Sequence, residues 1–173
     1  MERRALIQWL AVTAGLSPRD LLVLGRRVHR SAAGAPGRVL SAAAARTVTA
    51  AAEGILPATE TPGATDAAVS AFIDKMLAEW YTPEERDRFL SGVATLDAQD
   101  FGSRPAADQA TLLRALDAEV QALRSRQGAA AANRHWFAML KYLTVYGYCT
   151  SEVGARALGL DRLAGRYDPC ATM

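Results

Sequence analysis

The stretch Gly147-Tyr-Cys-Thr-Ser-Glu152 brings a thiol, two aliphatic hydroxyls and a carboxylate into adjacent positions. Cys149 is the group that could act as a nucleophile, and a cysteine nucleophile needs a base within hydrogen-bond reach. His135 lies fourteen residues earlier, which is about 21 Å along a continuous helix. His29 is far away in the sequence. We therefore predict no catalytic residue in this stretch.

The same stretch has the residue types of a junction between two helices. Gly147 is expected to loosen the end of the preceding helix, because glycine weakens helices. Thr150 or Ser151 then caps a short new helix through its hydroxyl. Glu152 falls in the first turn, where a negative charge complements the helix dipole. We interpret the junction as a structural element rather than an active site.

The usual patterns of metal, cofactor and nucleic-acid sites do not occur in the chain. Cys149 and Cys170 form no CxxC pair, and there is neither a GxGxxG nor a P-loop motif. This predicts no metal and no cofactor of the chain's own. The segment TSEVGARALGL (150–160) is similar to the first helix of a helix-turn-helix, but no second helix follows that could enter the major groove. Nucleic-acid binding is therefore not expected.

Helical periodicity runs through nearly the whole chain, and no two-residue alternation stands out. The clearest helix has apolar residues on one face: Val69, Phe72, Ile73, Met76, Leu77 and Trp80. Its other face is predicted to be polar and solvated: Ser70, Asp74, Lys75 and Glu79. Thr65 or Asp66 is expected to cap this helix.

Four further helices are predicted from composition, apolar spacing and the residues that start or end helices. An Ala-rich helix spans 41–56 and stops before Pro57. Thr82-Pro-Glu-Glu85 is a capping box that begins a helix burying Phe89, Val93 and Leu96. A long helix carries Leu112, Leu113, Leu116, Val120 and Leu123 and ends near Gln127. An aromatic helix spans about 133–146, and it is either central in the core or covered by a partner. The length of 173 residues and an apolar content of one half predict a single compact domain with a core. Because the periodicity is helical throughout, we predict that this domain is all-α and has no sheet.

The N-terminus has two interpretations. Arg3 and Arg4 precede an apolar run over 5–16, which is the outline of a twin-arginine export signal. The alternative is an amphipathic first helix of the folded domain, because Pro18 interrupts the run and charges follow. We predict a signal or N-terminal helical segment over 1–38 and a helical domain over 39–173. No apolar run is long enough to cross a bilayer.

Three segments together resemble one protein family. They are ILPATETPGATDAAVSAFIDKML (55–77), LTVYGYCTSEVGA (143–155) and GRYDPC (165–170). The chain resembles, over about 40–173, the gluconate 2-dehydrogenase subunit 3 family, the small subunits of bacterial membrane-associated, flavin-dependent sugar and sugar-acid dehydrogenases. The residues that carry the likeness are the candidate interface: Pro57, Thr59, Thr61, Pro62, Gly63, Gly147, Tyr148, Thr150, Ser151, Glu152, Tyr167 and Cys170.

The resemblance implies a helical subunit without flavin or haem of its own. It implies a large partner subunit of the glucose-methanol-choline type that holds FAD, often with a cytochrome c subunit. It also implies export of both subunits by the twin-arginine pathway and a place at the periplasmic face of the inner membrane. The exposed loop at 57–65, with Pro62 fixing φ and Gly63 permitting a tight turn, suits docking.

The sequence does not decide whether Cys149 pairs with Cys170. Cys149 stands where the family usually has Phe or Tyr, and a disulfide between Cys149 and Cys170 requires an oxidising compartment.

The function expected from the resemblance is a non-catalytic accessory subunit that assists folding, export and assembly of the flavoprotein. The alternative is a stand-alone helical scaffold or binding protein without a dehydrogenase partner.

Overall fold

A computed structural model describes residues 17–32 and 37–159, and every regular element in those ranges is helical. The α-helices are α1 (Pro18–Ala32), α2 (Ala42–Ile55), α3 (Val69–Trp80), α4 (Pro83–Asp97), α5 (Ala106–Gln127), α6 (Ala129–Asn133), α7 (Trp136–Thr150) and α8 (Glu152–Ala157). A short 3-10 helix, Phe101–Ser103, lies between α4 and α5. The prediction of an all-α domain without a sheet is confirmed for the part of the chain that the structure describes.

Helix α7 lies at the centre of the domain and contacts each of the seven other α-helices named above. Its buried residues come from most of its circumference: Phe137, Met139, Leu140, Leu143, Thr144, Tyr146, Gly147, Tyr148, Cys149 and Thr150. A helix that is apolar nearly all round must be enclosed by others. Of the two placements expected for the aromatic helix, the central one is confirmed.

The polar face predicted for α3 is buried at two of its four residues, whereas Ser70 is partly exposed and Glu79 is exposed. Asp74 and Lys75 are only 7% and 9% exposed. The Asp74 carboxylate accepts hydrogen bonds from the backbone N–H groups of Arg38, Val39 and Leu40 at 2.7, 2.9 and 2.7 Å. The expectation that Asp74 and Lys75 face water is wrong. The segment before α2 supplies amides that need an acceptor and find it in Asp74, and the Lys75 ammonium pairs with the Glu79 carboxylate on the same helix.

Helix α3 also begins without the side-chain cap that was predicted. Its N-cap residue is Ala68, which has a left-handed conformation with φ 50° and makes no side-chain capping bond. The Asp66 carboxylate instead accepts a hydrogen bond from the N–H of Gly63 at 2.9 Å. The cap predicted at Thr65 or Asp66 is wrong, because Asp66 stabilises the preceding turn.

The predictions for α2 and α4 agree with the structure. Helix α2 ends at Ile55, two residues before Pro57. At the start of α4, the Thr82 hydroxyl accepts from the N–H of Glu85, and the Glu85 carboxylate accepts from the N–H of Thr82. Phe89, Val93 and Leu96 are buried, as predicted. The capping box therefore forms in full and fixes where α4 starts.

The chain between α5 and α7 breaks twice. Gly128 has a φ of 84°, which ends α5 and separates it from the five-residue helix α6. His135 then caps α7, because its Nδ1 accepts a hydrogen bond from the N–H of Phe137 at 3.2 Å. Helix α7 therefore starts at Trp136 rather than near Asn133 as predicted.

Helix α1 packs into the core through contacts with α3 and α7. The His29 Nε2–H donates to the carbonyl oxygen of Gly147 at 2.6 Å, and the Tyr146 hydroxyl donates to the carbonyl oxygen of Leu21 at 3.0 Å. The His29 ring stacks on Phe72 with the ring centroids 4.6 Å apart. Helix α1 is therefore part of the folded domain, whereas the division at residue 38 stays a prediction.

Candidate functional site

Residues 57–66, within the connection between α2 and α3, include five of the twelve candidate interface residues, and we call this segment the motif loop. Residues 57–62 are all exposed. From the centre of the domain, the Tyr148 hydroxyl donates to the carbonyl oxygen of Pro62 at 2.7 Å. This bond joins two parts of the predicted motif that lie 86 residues apart in the chain. The structure thus brings the two halves of the candidate interface together.

Glu53, in the last turn of α2, organises the motif loop from within. Its carboxylate accepts hydrogen bonds from the N–H of Ala58 at 2.8 Å and of Thr65 at 2.9 Å. Within the loop, the N–H of Thr59 donates to the carbonyl oxygen of Thr61 at 2.9 Å. Burial raises the pKa of Glu53, but the hydrogen bonds outweigh it, and the pKa lies below its ordinary value. Sequence analysis missed Glu53, because an acid in an Ala-rich helix gives no sign of the amides it will meet.

Gly63 is buried in the motif loop next to the buried Ala64, and lack of space explains why a glycine is needed there. A Cβ atom at Gly63 would overlap the Glu53 carboxylate and lie 2.6 Å from the backbone nitrogen of Ala58. The Gly63 N–H donates to the Asp66 carboxylate at 2.9 Å. The steric demand is a property of the folded loop that the sequence did not reveal.

Ser151 closes the junction between α7 and α8. Its hydroxyl accepts a hydrogen bond from the N–H of Gly154 at 2.9 Å and donates to the carbonyl oxygen of Tyr148 at 2.8 Å. Of the two caps predicted here, the structure therefore selects Ser151. Glu152 lies in the first turn of α8, as expected, and forms an exposed ion pair with Arg156 at 2.7 Å.

Gly147 does not loosen the end of α7. The helix continues through it to Thr150, whose hydroxyl donates to the carbonyl oxygen of Tyr146 at 2.7 Å. A Cβ atom at Gly147 would lie 2.8 Å from the Phe72 ring. The expectation of a weakened helix end is wrong, because this glycine allows α3 to approach α7 closely.

Cys149 behaves as a packed apolar group. It forms no disulfide bond with any residue of the described ranges, only 1% of its surface is exposed, and burial raises its pKa to about 12. The thiolate is the reactive form of cysteine, so this environment is the opposite of an activated nucleophile. His29 and His135 make their hydrogen bonds to the backbone, at Gly147 and Phe137 respectively.

Four predicted site residues lie outside the described ranges: Arg3, Arg4, Tyr167 and Cys170. The export motif and the pairing of Cys149 with Cys170 therefore stay predictions. Within 17–32 and 37–159, no group of three His, Cys, Asp or Glu side chains is placed to hold a metal ion. The helices in those ranges also lack the length and apolar character needed to cross a membrane.

A second surface feature, which we call the aromatic groove, lies at the C-terminal end of α3. It has a volume of about 600 Å³, and its lining includes Leu24, Met76, Trp80, Tyr81, Ala138 and Tyr142. Trp80 is 54% exposed, although the helical pattern placed it on the buried face. That expectation is wrong because Trp80 is the last residue of α3 and reaches beyond the helices that cover Phe72 and Ile73. Eleven helical rises separate Val69 from Trp80, so the motif loop and the aromatic groove are about 16 Å apart along α3.

The protein is a helical domain in which Tyr148, Glu53 and the packing at Gly63 hold the motif loop at the surface. The family model for gluconate 2-dehydrogenase subunit 3 matches residues 42–169. The chain therefore belongs to the gluconate 2-dehydrogenase subunit 3 family, and the resemblance proposed from the sequence is confirmed. Comparisons with curated proteins and with solved structures gave no match.

Proposed function

We propose that this protein is a non-catalytic accessory subunit of a bacterial FAD-dependent gluconate or sugar dehydrogenase complex. In this proposal it assists the folding, twin-arginine export and assembly of a large flavoprotein subunit of the glucose-methanol-choline type. The observation that carries the proposal is the family match over 42–169. That span includes the motif loop, Tyr148 and the junction between α7 and α8.

The motif loop has the properties that a docking surface needs. Its outer residues are exposed, while Tyr148, Glu53 and the tight packing at Gly63 hold their backbone in place. A surface that is already ordered loses less conformational entropy on binding than a mobile one. The motif loop is therefore suited to bind a folded partner, and we assign it to the flavoprotein.

The proposed complex divides its chemistry between subunits. FAD would lie in the large subunit, and haem would lie in a cytochrome c subunit where one is present. This chain would supply neither a cofactor nor a catalytic group, and its contact with the membrane would be indirect. The complex would work at the periplasmic face of the inner membrane.

Deletion of the gene for this chain tests the proposal. We expect the periplasmic amount of the flavoprotein encoded nearby to fall, and the purified chain alone to show no dehydrogenase activity. Immunoblots and dye-reduction assays on periplasmic and cytoplasmic fractions measure both. Re-expression of the wild-type chain is the control. Full periplasmic activity of the flavoprotein in the deletion strain would refute an export or assembly role.

The export step has its own test. The double substitution Arg3→Lys with Arg4→Lys should retain both subunits in the cytoplasm, because the twin-arginine signal is read through those two side chains. A matched control is Arg26→Lys with Arg27→Lys in α1, which should leave fractionation unchanged. If the first pair also leaves fractionation unchanged, the N-terminus does not export the complex.

A further inference from the structure

The aromatic groove combines apolar area with room for a side chain. Its volume of about 600 Å³ is within the range of specific binding pockets. Trp80 and Val23 are the large hydrophobic residues exposed in the described ranges, and Trp80 lines the groove. Tyr81 and Tyr142, which also line the groove, are partly buried. A half-exposed Trp beside partly buried tyrosines is typical of an anchor site in a protein interface.

The rim of the aromatic groove carries an excess of positive charge. Arg88, Arg124 and Arg134 line it, and none of the three forms an ion pair within the described ranges. Arg88 donates to the carbonyl oxygen of Arg134 at 3.4 Å, and Arg134 donates to the carbonyl oxygen of Ala130 at 3.3 Å. Both contacts are long and leave most of the guanidinium donors for another acceptor.

The two acids that line the groove are already engaged. The Glu85 carboxylate accepts from the N–H of Thr82 in the capping box at 2.9 Å. The Asp117 carboxylate accepts from the Lys141 ammonium at 2.6 Å. The Glu85 carboxylate keeps its charge, because its partner is a neutral amide, whereas Asp117 and Lys141 neutralise each other. The three arginines of the lining therefore outnumber its one unpaired carboxylate, and the groove is net positive around an aromatic and aliphatic floor. The matching occupant carries carboxylates beside a large apolar side chain, because Arg binds carboxylate in a planar, bidentate manner.

We propose that the aromatic groove binds an acidic peptide segment of the partner protein, which inserts an aromatic or large aliphatic side chain beside Trp80. The identification of that partner as the flavoprotein subunit rests on the proposed function. The chemistry of the segment rests on the groove alone. The chain would then hold its partner at both ends of α3, with the motif loop at one end and this groove at the other.

An anionic membrane is the competing occupant, and the shape of the site favours a peptide. A bilayer presents a broad surface and reaches protruding side chains. The residues of the groove floor lie in a cleft between α1, α3, α5 and α7. A single inserted side chain reaches such a floor, and carboxylates on either side of it meet the arginine rim.

The full-length protein and a fluorescein-labelled random copolymer of glutamate and tyrosine test the site directly. Fluorescence anisotropy should show binding to the wild-type chain, and Arg124→Glu should weaken it about tenfold, since a charge-assisted hydrogen bond is lost and a repulsion added. Arg126→Glu is the matched control. Arg126 lies two residues further along α5, about 200° around the helix, and its Nε–H donates to the carbonyl oxygen of Ala122. It should bind within twofold of wild type.

A second set of binding measurements tests the apolar floor of the aromatic groove. Trp80→Ala should also weaken copolymer binding about tenfold, because the anchor contact is removed. Val23→Ala, at an exposed apolar residue outside the groove lining, should not. Polyglutamate without tyrosine should compete at least tenfold less well than the copolymer. Thermal unfolding of each variant, expected within 2 °C of wild type for these exposed side chains, confirms that the fold is intact.

Several outcomes would overturn the proposal. They are the absence of copolymer binding, equal losses in Arg124→Glu and Arg126→Glu, and competition by polyglutamate that matches the copolymer. Binding to phosphatidylglycerol vesicles that Arg124→Glu abolishes would assign the groove to the membrane instead.

Co-purification with the flavoprotein separates this inference from the proposed function. Loss of the flavoprotein from Arg124→Glu but not from Arg126→Glu supports both. If both variants retain it as wild type does, the groove proposal fails and the proposed function stands. If the wild-type chain itself does not retain it, the proposed function fails, and the copolymer result alone decides the groove.

Discussion

The two ends of helix α3 carry surfaces of opposite construction. At its N-terminal end, the motif loop is polar, and its backbone is fixed by Tyr148, Glu53 and the packing at Gly63. At its C-terminal end, the aromatic groove is open, with a half-exposed Trp80 and three arginines that form no ion pair in the part of the chain that the structure describes. Several backbone groups of the motif loop are bound from within the fold, whereas the guanidinium groups of the groove face outward.

This difference separates residues that build a surface from residues that bind through it. A substitution in the motif loop should cost stability, because the loop bonds are part of the fold. A substitution in the groove should cost binding while leaving the fold unchanged. The four predictions below test this division in order of decreasing effect on the free energy of unfolding.

Gly63→Ala should have the largest effect, a loss of about 2 kcal/mol, because the added methyl group overlaps Glu53 and crowds the backbone at Ala58. Chemical denaturation measures it. Gly102→Ala is the control, since a Cβ there meets nothing within 4 Å. Equal stability of the two variants would mean that the loop yields to the methyl group and is not fixed as described.

Tyr148→Phe should cost about 1 kcal/mol, the usual worth of one hydrogen bond, because the bond to the carbonyl oxygen of Pro62 is lost. The matched substitution in the groove is Tyr81→Phe. Its hydroxyl makes no hydrogen bond within the described residues, and its removal should change stability by less than about 0.5 kcal/mol. A larger loss at Tyr81 than at Tyr148 would reverse the comparison.

Glu53→Gln should cost less than about 1 kcal/mol at neutral pH, since solvent screens this partly exposed carboxylate. The fold lowers the pKa of Glu53 from its ordinary value of 4.5. Its contribution is therefore complete above about pH 4.5 and is lost as the pH falls through the folded pKa. Urea unfolding at several pH values should show the wild-type advantage disappear on acidification. A difference that stays constant with pH would exclude a role for the charge.

Trp80→Ala should change stability least, by less than about 0.5 kcal/mol, because more than half of the side chain already faces solvent. Differential scanning calorimetry on the full-length chain measures this. Phe72→Ala, at the fully buried end of the same helix, serves as the positive control with an expected loss of about 3 kcal/mol or more. A comparable loss at Trp80 would make the groove part of the core.

The features that the sequence predicted correctly depend on residues close together in the chain. The apolar period of α3, the capping box at Thr82 and the cap at Ser151 are set by residues within a few positions of one another, and each is present. Asp74 was assigned to the wrong environment, because the amides that surround it come from a segment 34 to 36 residues earlier. Gly147 was assigned the wrong role for a similar reason, since its neighbour Phe72 lies on another helix.

For the candidate site too, the sequence predicted individual residues but not the contacts between segments distant in the chain. Pro62 and Tyr148 were both selected from the sequence, but the hydrogen bond between them needed the tertiary structure. Glu53 and the arginine rim were not selected at all. Glu53 matters because it accepts hydrogen bonds from the motif loop, and the arginines matter because they form no ion pair within the described residues. Both properties depend on contacts between different segments, which residue spacing along one helix does not reveal.

The contacts of α1 place a constraint on biosynthesis. His29 and Leu21 bond to partners 118 and 125 residues further along the chain. At a ribosomal rate of about 5–20 residues per second, these partners emerge roughly 6–25 seconds after α1. During that interval the apolar side of α1 has yet to meet its final neighbours on α7. Helix α1 therefore reaches its native packing only after α7 has been synthesised.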